Sequence, residues 1–423
     1  MSDRIVSIVA SEILGARTNA LEVLVATESG AVGRATPEPG ISTGTHEAKM
    51  VLDGGRRFGG LGVIQAARHV NEEIAPGLLG MDVSRQREID LAMIEMDGTR
   101  DKSRLGANAI VGVSIAVAQA AAASAGLPLY QYIGGPHATL IPMPIPGVGG
   151  GGGGRYRDPG TSRWFKPSYQ YIPHGAGSYA RAMEMDYDIQ RELGKLMVER
   201  YGIAVRTYAG LNVAGLLKHD NELLDAMTEA IVRAGYEGEV GIYFDAAADC
   251  YYEPEMDRYV GLYSEGEKTR DDLIAEYVAM VERFPIVSIE DPLHEDDYLG
   301  HAMVTEETGI EIVGDDLFTT NIERLAEGIA VGAANSIVLK ITQVGTVSEA
   351  LDACELALRS GYNVHPCGSR GDRDSIADFA VALNAGQLRA GDWNRPLIIE
   401  RELGPAARWP GRSFLKGWRN QEG

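Results

Sequence analysis

Glu290, Asp315, Lys340 and His365 stand about one βα unit apart, each near the end of a short apolar run, and this register restricts the fold more than any other feature of the chain. The runs are "FPIVSIEDP", "IEIVGDDLF", "NSIVLKITQ" and "GYNVHPCGS", preceded by "GEVGIYFDAA" with Asp245 at its end. Helical stretches such as "TRDDLIAEYVAMVERF" and "TVSEALDACELALRSG" separate them. Continuous apolar strands alternating with helices predict a parallel sheet covered on both faces. An open doubly wound sheet gives similar alternation, but successive strands that all end in polar chemistry fit a TIM-type barrel, whose strand ends converge on one mouth.

At 423 residues the chain exceeds one ordinary core, which predicts two domains. Residues 1–138 read as an α+β capping domain: Leu21 to Ala26 alternates like a strand, and "GANAIVGVSIAVAQAAAASAG" reads as a close-packing helix of small residues. Pro142, Pro144 and Pro146 mark the boundary, and residues 139–423 carry the barrel. The glycine run at 149–154 reads as a mobile loop and not as a dinucleotide fingerprint, because no strand-loop-helix unit surrounds it.

A formal net charge of -21 argues against a nucleic-acid partner, although a metal or a local Arg/Lys cluster still allows a small anion. No apolar run is expected to span a membrane, and Met1 to Arg4 leads into a strand-like run rather than a signal sequence, so a cytoplasmic protein is expected. Cys250, Cys354 and Cys367 form neither a disulfide framework nor a zinc pattern.

Asp245, Glu290 and Asp315 would bring three carboxylates to one point, where they repel one another by several kcal/mol unless a cation intervenes. Mg²⁺, a hard cation that takes oxygen ligands and leaves room for a substrate carboxylate, answers that need. The alternative is that each carboxylate only caps the next helix. Lys340, next to this cluster, is expected to have a lowered pKa and to act as a base toward carbon beside a carboxylate. A purely structural pairing with Asp315 or Glu290 is the other reading. His365 reads equally as a substrate contact or as a histidine satisfied by backbone.

These segments resemble enolase from the N-terminus to about residue 400. The resemblance is carried by "GISTGTHEA" (40–48), "GANAIVGVSIAVAQAAA" (106–122), "PIVSIEDPL" (285–293), "IVGDDLFTTN" (312–321), "NSIVLKITQVG" (335–345) and "SIADFAVALNAGQLRAG" (375–391). It implies an N-terminal α+β lid domain and a modified barrel with a ββαα start, Mg²⁺ on Asp245, Glu290 and Asp315, and Lys340 as the base toward 2-phosphoglycerate. It also implies that the loop Ser42-Thr43-Gly44 closes over the substrate, with Ser42 helping to hold a second Mg²⁺, and that the assembly is a homodimer or a higher homo-oligomer.

The departures from that family cluster at its acid and substrate positions. The family's QEF segment is "KPSYQYIP", with Ser168 in place of a glutamate, and its GDEGG segment is "VRTYAGLNVAG", with Gly210 or a neighbour at the glutamate. Its SHRSGE clamp is "VHPCGSRGD", in which Ser369 and Arg370 keep part of a phosphate-binding role, and the lysine of GQIKTG is Arg389. With Arg155, Arg157, Arg163, Lys166, Arg206 and Arg373 also near these segments, the loops suit an anion larger than 2-phosphoglycerate. The expectation is therefore a Mg²⁺-dependent lyase or transferase acting on a phosphate- or phosphonate-containing substrate; analogy within the family it resembles gives a carboxyphosphonoenolpyruvate synthase of phosphinate antibiotic biosynthesis as the specific candidate. The alternatives are a phosphopyruvate hydratase with its acid drawn from Glu184, His174 or Asp158, and an inactive scaffold or binding protein.

Overall fold

A computed structural model describes residues 2–15, 19–40, 43–150, 166–202, 217–371 and 373–417. At the N-terminus the strands Ile5–Leu14, Asn19–Thr27 and Val32–Ala35 form an antiparallel meander. One face of it, with Ile8, Val23 and Val25, is buried, and the sheet packs against the helix Ala107–Ser124. That approach is close enough to require glycine: a Cβ on Gly33 would stand 1.9 Å from the carbonyl oxygen of Ala116. The helix is long and apolar enough by composition to cross a membrane, which the sequence reading did not anticipate. With 83% of it buried, its apolarity serves the core instead.

The strands Ser336–Leu339, Glu311–Gly314, Ile286–Glu290 and Gly241–Asp245 lie side by side in a seven-stranded sheet and run parallel, with Asn363–Pro366 outside the first of them. Ser168–Ile172 adds antiparallel to Gly241–Asp245, and Gly147–Gly150 adds antiparallel to Ser168–Ile172. Gln387–Arg389 pairs with Met143–Ile145 just before that last strand. Bridges Val364–Gly386 and Cys367–Arg389 carry the ring on to Asn363–Pro366. Two strands followed by the helices Tyr179–Tyr201 and Asn221–Ala234 give the ββαα start that the resemblance implies, and the structure adds that the second of these strands is reversed. The reversal puts Ser168 level with Asp245 at the mouth and Ile172 level with Gly241 at the opposite end.

The helices have legible caps. Asn321 accepts from the backbone N–H of Glu323 and Arg324 at the start of Ile322–Val331, and Thr269 with Asp272 forms a capping box at the start of Arg270–Arg283. The two halves of the chain are stapled at Asp90, a buried carboxylate on the helix Gln86–Asp97. It accepts from Ser114 Oγ (2.7 Å), Ser348 Oγ (2.6 Å) and the Ser348 N–H (3.0 Å).

Candidate active site

Glu290 pairs in register with Asp245, while Asp315 and Lys340 each follow the last residue of their own strand. Successive strands are staggered around the ring, so residues at different distances along their strands arrive at one level. All four side chains are buried, with relative exposures of 0% for Glu290, 1% for Asp245, 5% for Lys340 and 6% for Asp315.

Among the described residues, the cluster is balanced by the chain's own cations. Lys340 Nζ donates to Asp315 Oδ2, and Lys166 Nζ donates to Asp245. Arg389 spans the group, donating to Glu290 Oε1 at 2.6 Å and to Asp245 Oδ2, with Asp315 Oδ2 3.9 Å away. Tyr243 adds a hydroxyl to Glu290 Oε2. Burial alone would raise the Asp245 and Asp315 carboxyls, but Lys166 and Arg389 hold Asp245 below the usual range, and Lys340 and Arg389 do the same for Asp315. Burial prevails at Glu290, which is shifted upward despite Arg389. Lys340 corrects the sequence reading: burial pulls its pKa down, but the adjacent Asp315 outweighs burial and the net shift is upward.

A further acid, Asp291, lies beneath the mouth and accepts the backbone N–H groups of Asp315 (2.9 Å) and Asp316 (2.8 Å), fixing the turn that carries Asp315. The segment 43–47, expected from the resemblance to act as a lid, reaches in through Glu47. This buried carboxylate clasps both terminal nitrogens of Arg370 and accepts from the Gly44 N–H at 3.1 Å. The same segment is tied to the barrel rim by Thr45 N–H to Glu295 (3.0 Å) and His46 Nε2 to Asp296 (2.9 Å).

Several expected residues are elsewhere or differently engaged. His365 is not at the mouth: it is fully buried inside the barrel with Nε2 3.1 Å from Glu311 Oε1, and Glu311 opens its strand, far from Asp315 at the other end. The residue that meets Lys340's level is Cys367, whose N–H donates to Leu339 O at 3.0 Å, because the even spacing fails at this last strand. Arg370 and Arg389 are at the site, but their guanidinium groups are committed to carboxylates rather than open to an anion. Ser369 is half-buried beside Arg370 and makes no hydrogen bond to the cluster among the described residues. Arg373 is exposed. His174 follows the reversed strand to the far end of the barrel, and Glu184 lies exposed on the helix Tyr179–Tyr201, paired with Arg181, so neither reaches the mouth. Ser42, Arg155, Arg157, Asp158, Arg163, Arg206 and Gly210 lie outside the described residues, as do residues 151–154 of the glycine run.

Asp291, Glu47, Gln343 and Cys367 were missed as site residues, although all four stand inside segments already singled out. Their signal was a polar or sulfur-bearing side chain within a few residues of a strand end or of the lid motif. The oxygens that lie within 4.8 Å of one another come from Glu290, Asp291 and Asp315 rather than from the expected Asp245, Glu290 and Asp315. Asp291 is committed to backbone N–H groups, whereas Asp245 Oδ1 is buried without a hydrogen-bond partner among the described residues, so the carboxylates here offer oxygen donors of the kind Mg²⁺ takes.

Residues 5–133 match the family described as enolase, N-terminal domain, and residues 143–417 match enolase, C-terminal TIM barrel domain. The chain is 45% identical to an enolase of Methanocaldococcus jannaschii, with 96% of this chain and 97% of that one covered. It is 45% identical to an enolase of Methanopyrus kandleri (97% and 98% covered) and 44% identical to one of Thermococcus gammatolerans (97% of each). These full-length relatives overturn the expectation of a carboxyphosphonoenolpyruvate synthase, and with it the transferase, phosphonate and antibiotic readings: chains this similar carry the name enolase. The two domain matches, which together span nearly all of the chain, and the relatives at 44–45% identity make the chain a member of the enolase family.

Proposed function

We propose that the protein is a phosphopyruvate hydratase, interconverting 2-phosphoglycerate and phosphoenolpyruvate. The observation that carries this reading is Lys340 at the barrel mouth, touching Asp315 on the neighbouring strand, with Glu290 and Asp245 at the ends of the next two strands. Its relatives' name supports the same reaction.

The reaction takes a proton from carbon next to a carboxylate and then loses hydroxide from the neighbouring carbon. Mg²⁺ on Asp245, Glu290 and Asp315 would stabilise the negative charge that builds on the substrate carboxylate. Lys340 Nζ would take the proton in its neutral form; Asp315 beside it favours the ammonium, and Mg²⁺ held on Asp315 would offset that carboxylate and so favour the neutral amine. Arg389, fixed across Glu290 and Asp245, keeps positive charge beside the developing dianion without further reorganisation. The leaving hydroxide needs a proton that Ser168 cannot supply. Lys166 is the described side chain we assign to give it: it approaches Asp245 from the mouth, and at 20% side-chain exposure it is more open than Lys340, Arg370 or Arg389. Burial of the cluster excludes bulk water, so the enolate is not quenched by solvent.

The test is an assay of purified protein with Mg²⁺ and 2-phosphoglycerate, following the ultraviolet absorbance of phosphoenolpyruvate. Steady turnover supports the reading. A folded, Mg²⁺-binding protein that shows none overturns it and leaves the scaffold reading in its place.

A further inference from the structure

Gln343 lies on the short helix Ile341–Val344 that follows Lys340, and it is buried. Its amide has a single orientation available. Thr320 Oγ1 donates to Gln343 Oε1 at 2.9 Å while itself accepting the Lys340 N–H at 3.0 Å. With Oε1 held, Nε2 faces the other way and donates to Asp315 Oδ1 at 2.8 Å; its second N–H points to Glu47 Oε1 at 3.4 Å. Asp315 therefore receives Gln343 on one oxygen and Lys340 on the other.

We infer that Gln343 is a positioning residue that couples the lid segment to Asp315 and Lys340. It is the amide that touches both the lid's carboxylate and the carboxylate that pairs with Lys340. The lid holds Glu47 through the Gly44 N–H, and Glu47 holds Arg370, so withdrawal of this segment removes one acceptor from Gln343 and leaves its amide to Asp315 alone. The side chain's chemistry is restricted in both directions. A carboxylate here would face Asp315 and Glu47 with like charge, and an apolar group would leave Asp315 Oδ1 without its donor in a buried site. Backbone strain points to the same place. Thr319 and Thr320 have φ of 47° and 56°, a region that β-branched residues avoid, and this conformation accompanies the placement of the Thr320 hydroxyl between Lys340 N and Gln343 Oε1.

The kinetic arm of the test rests on the hydratase reading; the binding arm does not. Mg²⁺ binding is measured by calorimetry, and kcat and KM for 2-phosphoglycerate by absorbance, in Gln343→Leu, Gln343→Glu, Thr320→Val, Glu47→Gln and the Gln343→Leu/Glu47→Gln double variant. Gln343→Leu is expected to weaken Mg²⁺ binding and lower kcat by about 10- to 100-fold each, with KM changed less. Gln343→Glu is expected to lose more kcat than Gln343→Leu. Thr320→Val keeps the volume and frees the amide to flip, and gives a smaller loss of the same kind, which decides the matter if Gln343→Leu does not fold. Adding Glu47→Gln to Gln343→Leu should cost little beyond Gln343→Leu alone. The inference is overturned if Gln343→Leu, or Thr320→Val in its place, keeps both Mg²⁺ affinity and kcat within twofold of the parent. It is equally overturned if the Glu47 and Gln343 effects simply multiply. Should the parent protein not turn over 2-phosphoglycerate, the hydratase reading fails alone, and the calorimetric comparison still decides the role of Gln343.

Discussion

At the scale of the residue, the mouth of the barrel is a set of charges that are tolerable only together. Replacing Lys340 by Ala removes the proposed base and should lower kcat for phosphoenolpyruvate formation by about 10²- to 10⁴-fold, read in the absorbance assay. A variant with turnover near the parent's would remove Lys340 from the mechanism. Arg389→Met leaves Glu290 and Asp245 short of a buried counter-charge, a change that costs roughly 3–5 kcal/mol when one partner of a buried pair is lost. Thermal melts should show the variant recovering more stability from added Mg²⁺ than the parent does; equal gains would contradict the balance described here. Much of this was legible. Asp245, Glu290, Asp315 and Lys340 could be placed from sequence because a strand end repeats once per βα unit. His365 could not, because its spacing matched while the stagger of the last strands put Cys367 at that level and turned the histidine toward Glu311. Nor could the direction of the Lys340 shift be read, since it depends on whether Asp315 or burial prevails.

At the scale of the element, local rules and tertiary contacts each govern separate positions. Asn321 caps its helix with two backbone N–H groups, so Asn321→Ala should lower stability by about 1 kcal/mol in urea unfolding, without altering the slope of the transition. Gly33→Ala should cost more, about 1–3 kcal/mol, because the new methyl would meet the Ala116 carbonyl and the meander must move off its helix. A neutral Gly33→Ala would show that this contact relaxes freely. The alternation of strands and helices in the second half was plain from apolar periodicity. The reversed strand Ser168–Ile172 was not, since direction leaves no trace in a run of five residues; the resemblance implied only a ββαα start. That reversal decides which neighbouring residues face the mouth: it brings Lys166 in and carries His174 away.

At the scale of the whole molecule, burial of neutral histidines makes the fold sensitive to acid. His301 is fully buried on the helix Tyr298–Thr308, and burial lowers its pKa from 6.5 to about 4; His174 is lowered likewise to about 4, by burial and then by Arg412. A folded pKa below the unfolded one means the unfolded chain binds the proton first. The contribution is therefore whole above pH 6.5 and is lost as pH falls from 6.5 toward 4, by roughly 3 kcal/mol for each histidine. Urea unfolding at a series of pH values should show this decline, and a His301→Gln protein that folds should show a shallower one; matching slopes would assign the acid sensitivity to other groups. Two domains were expected from the chain's length, whereas the Asp90 staple was not foreseen, because its partners Ser114 and Ser348 are far apart in the chain.

Arg389 comes from the strand made last among those of the ring, yet it supplies counter-charge to carboxylates synthesised long before it. Until that strand docks, Asp245 and Glu290 face each other with less compensation, so the half-built ring resists its own closure. Divalent cations or mild acid, by quieting that repulsion, should hasten the final step of refolding, and nascent chains that still lack their last strand would gain most from ions in the surrounding solution.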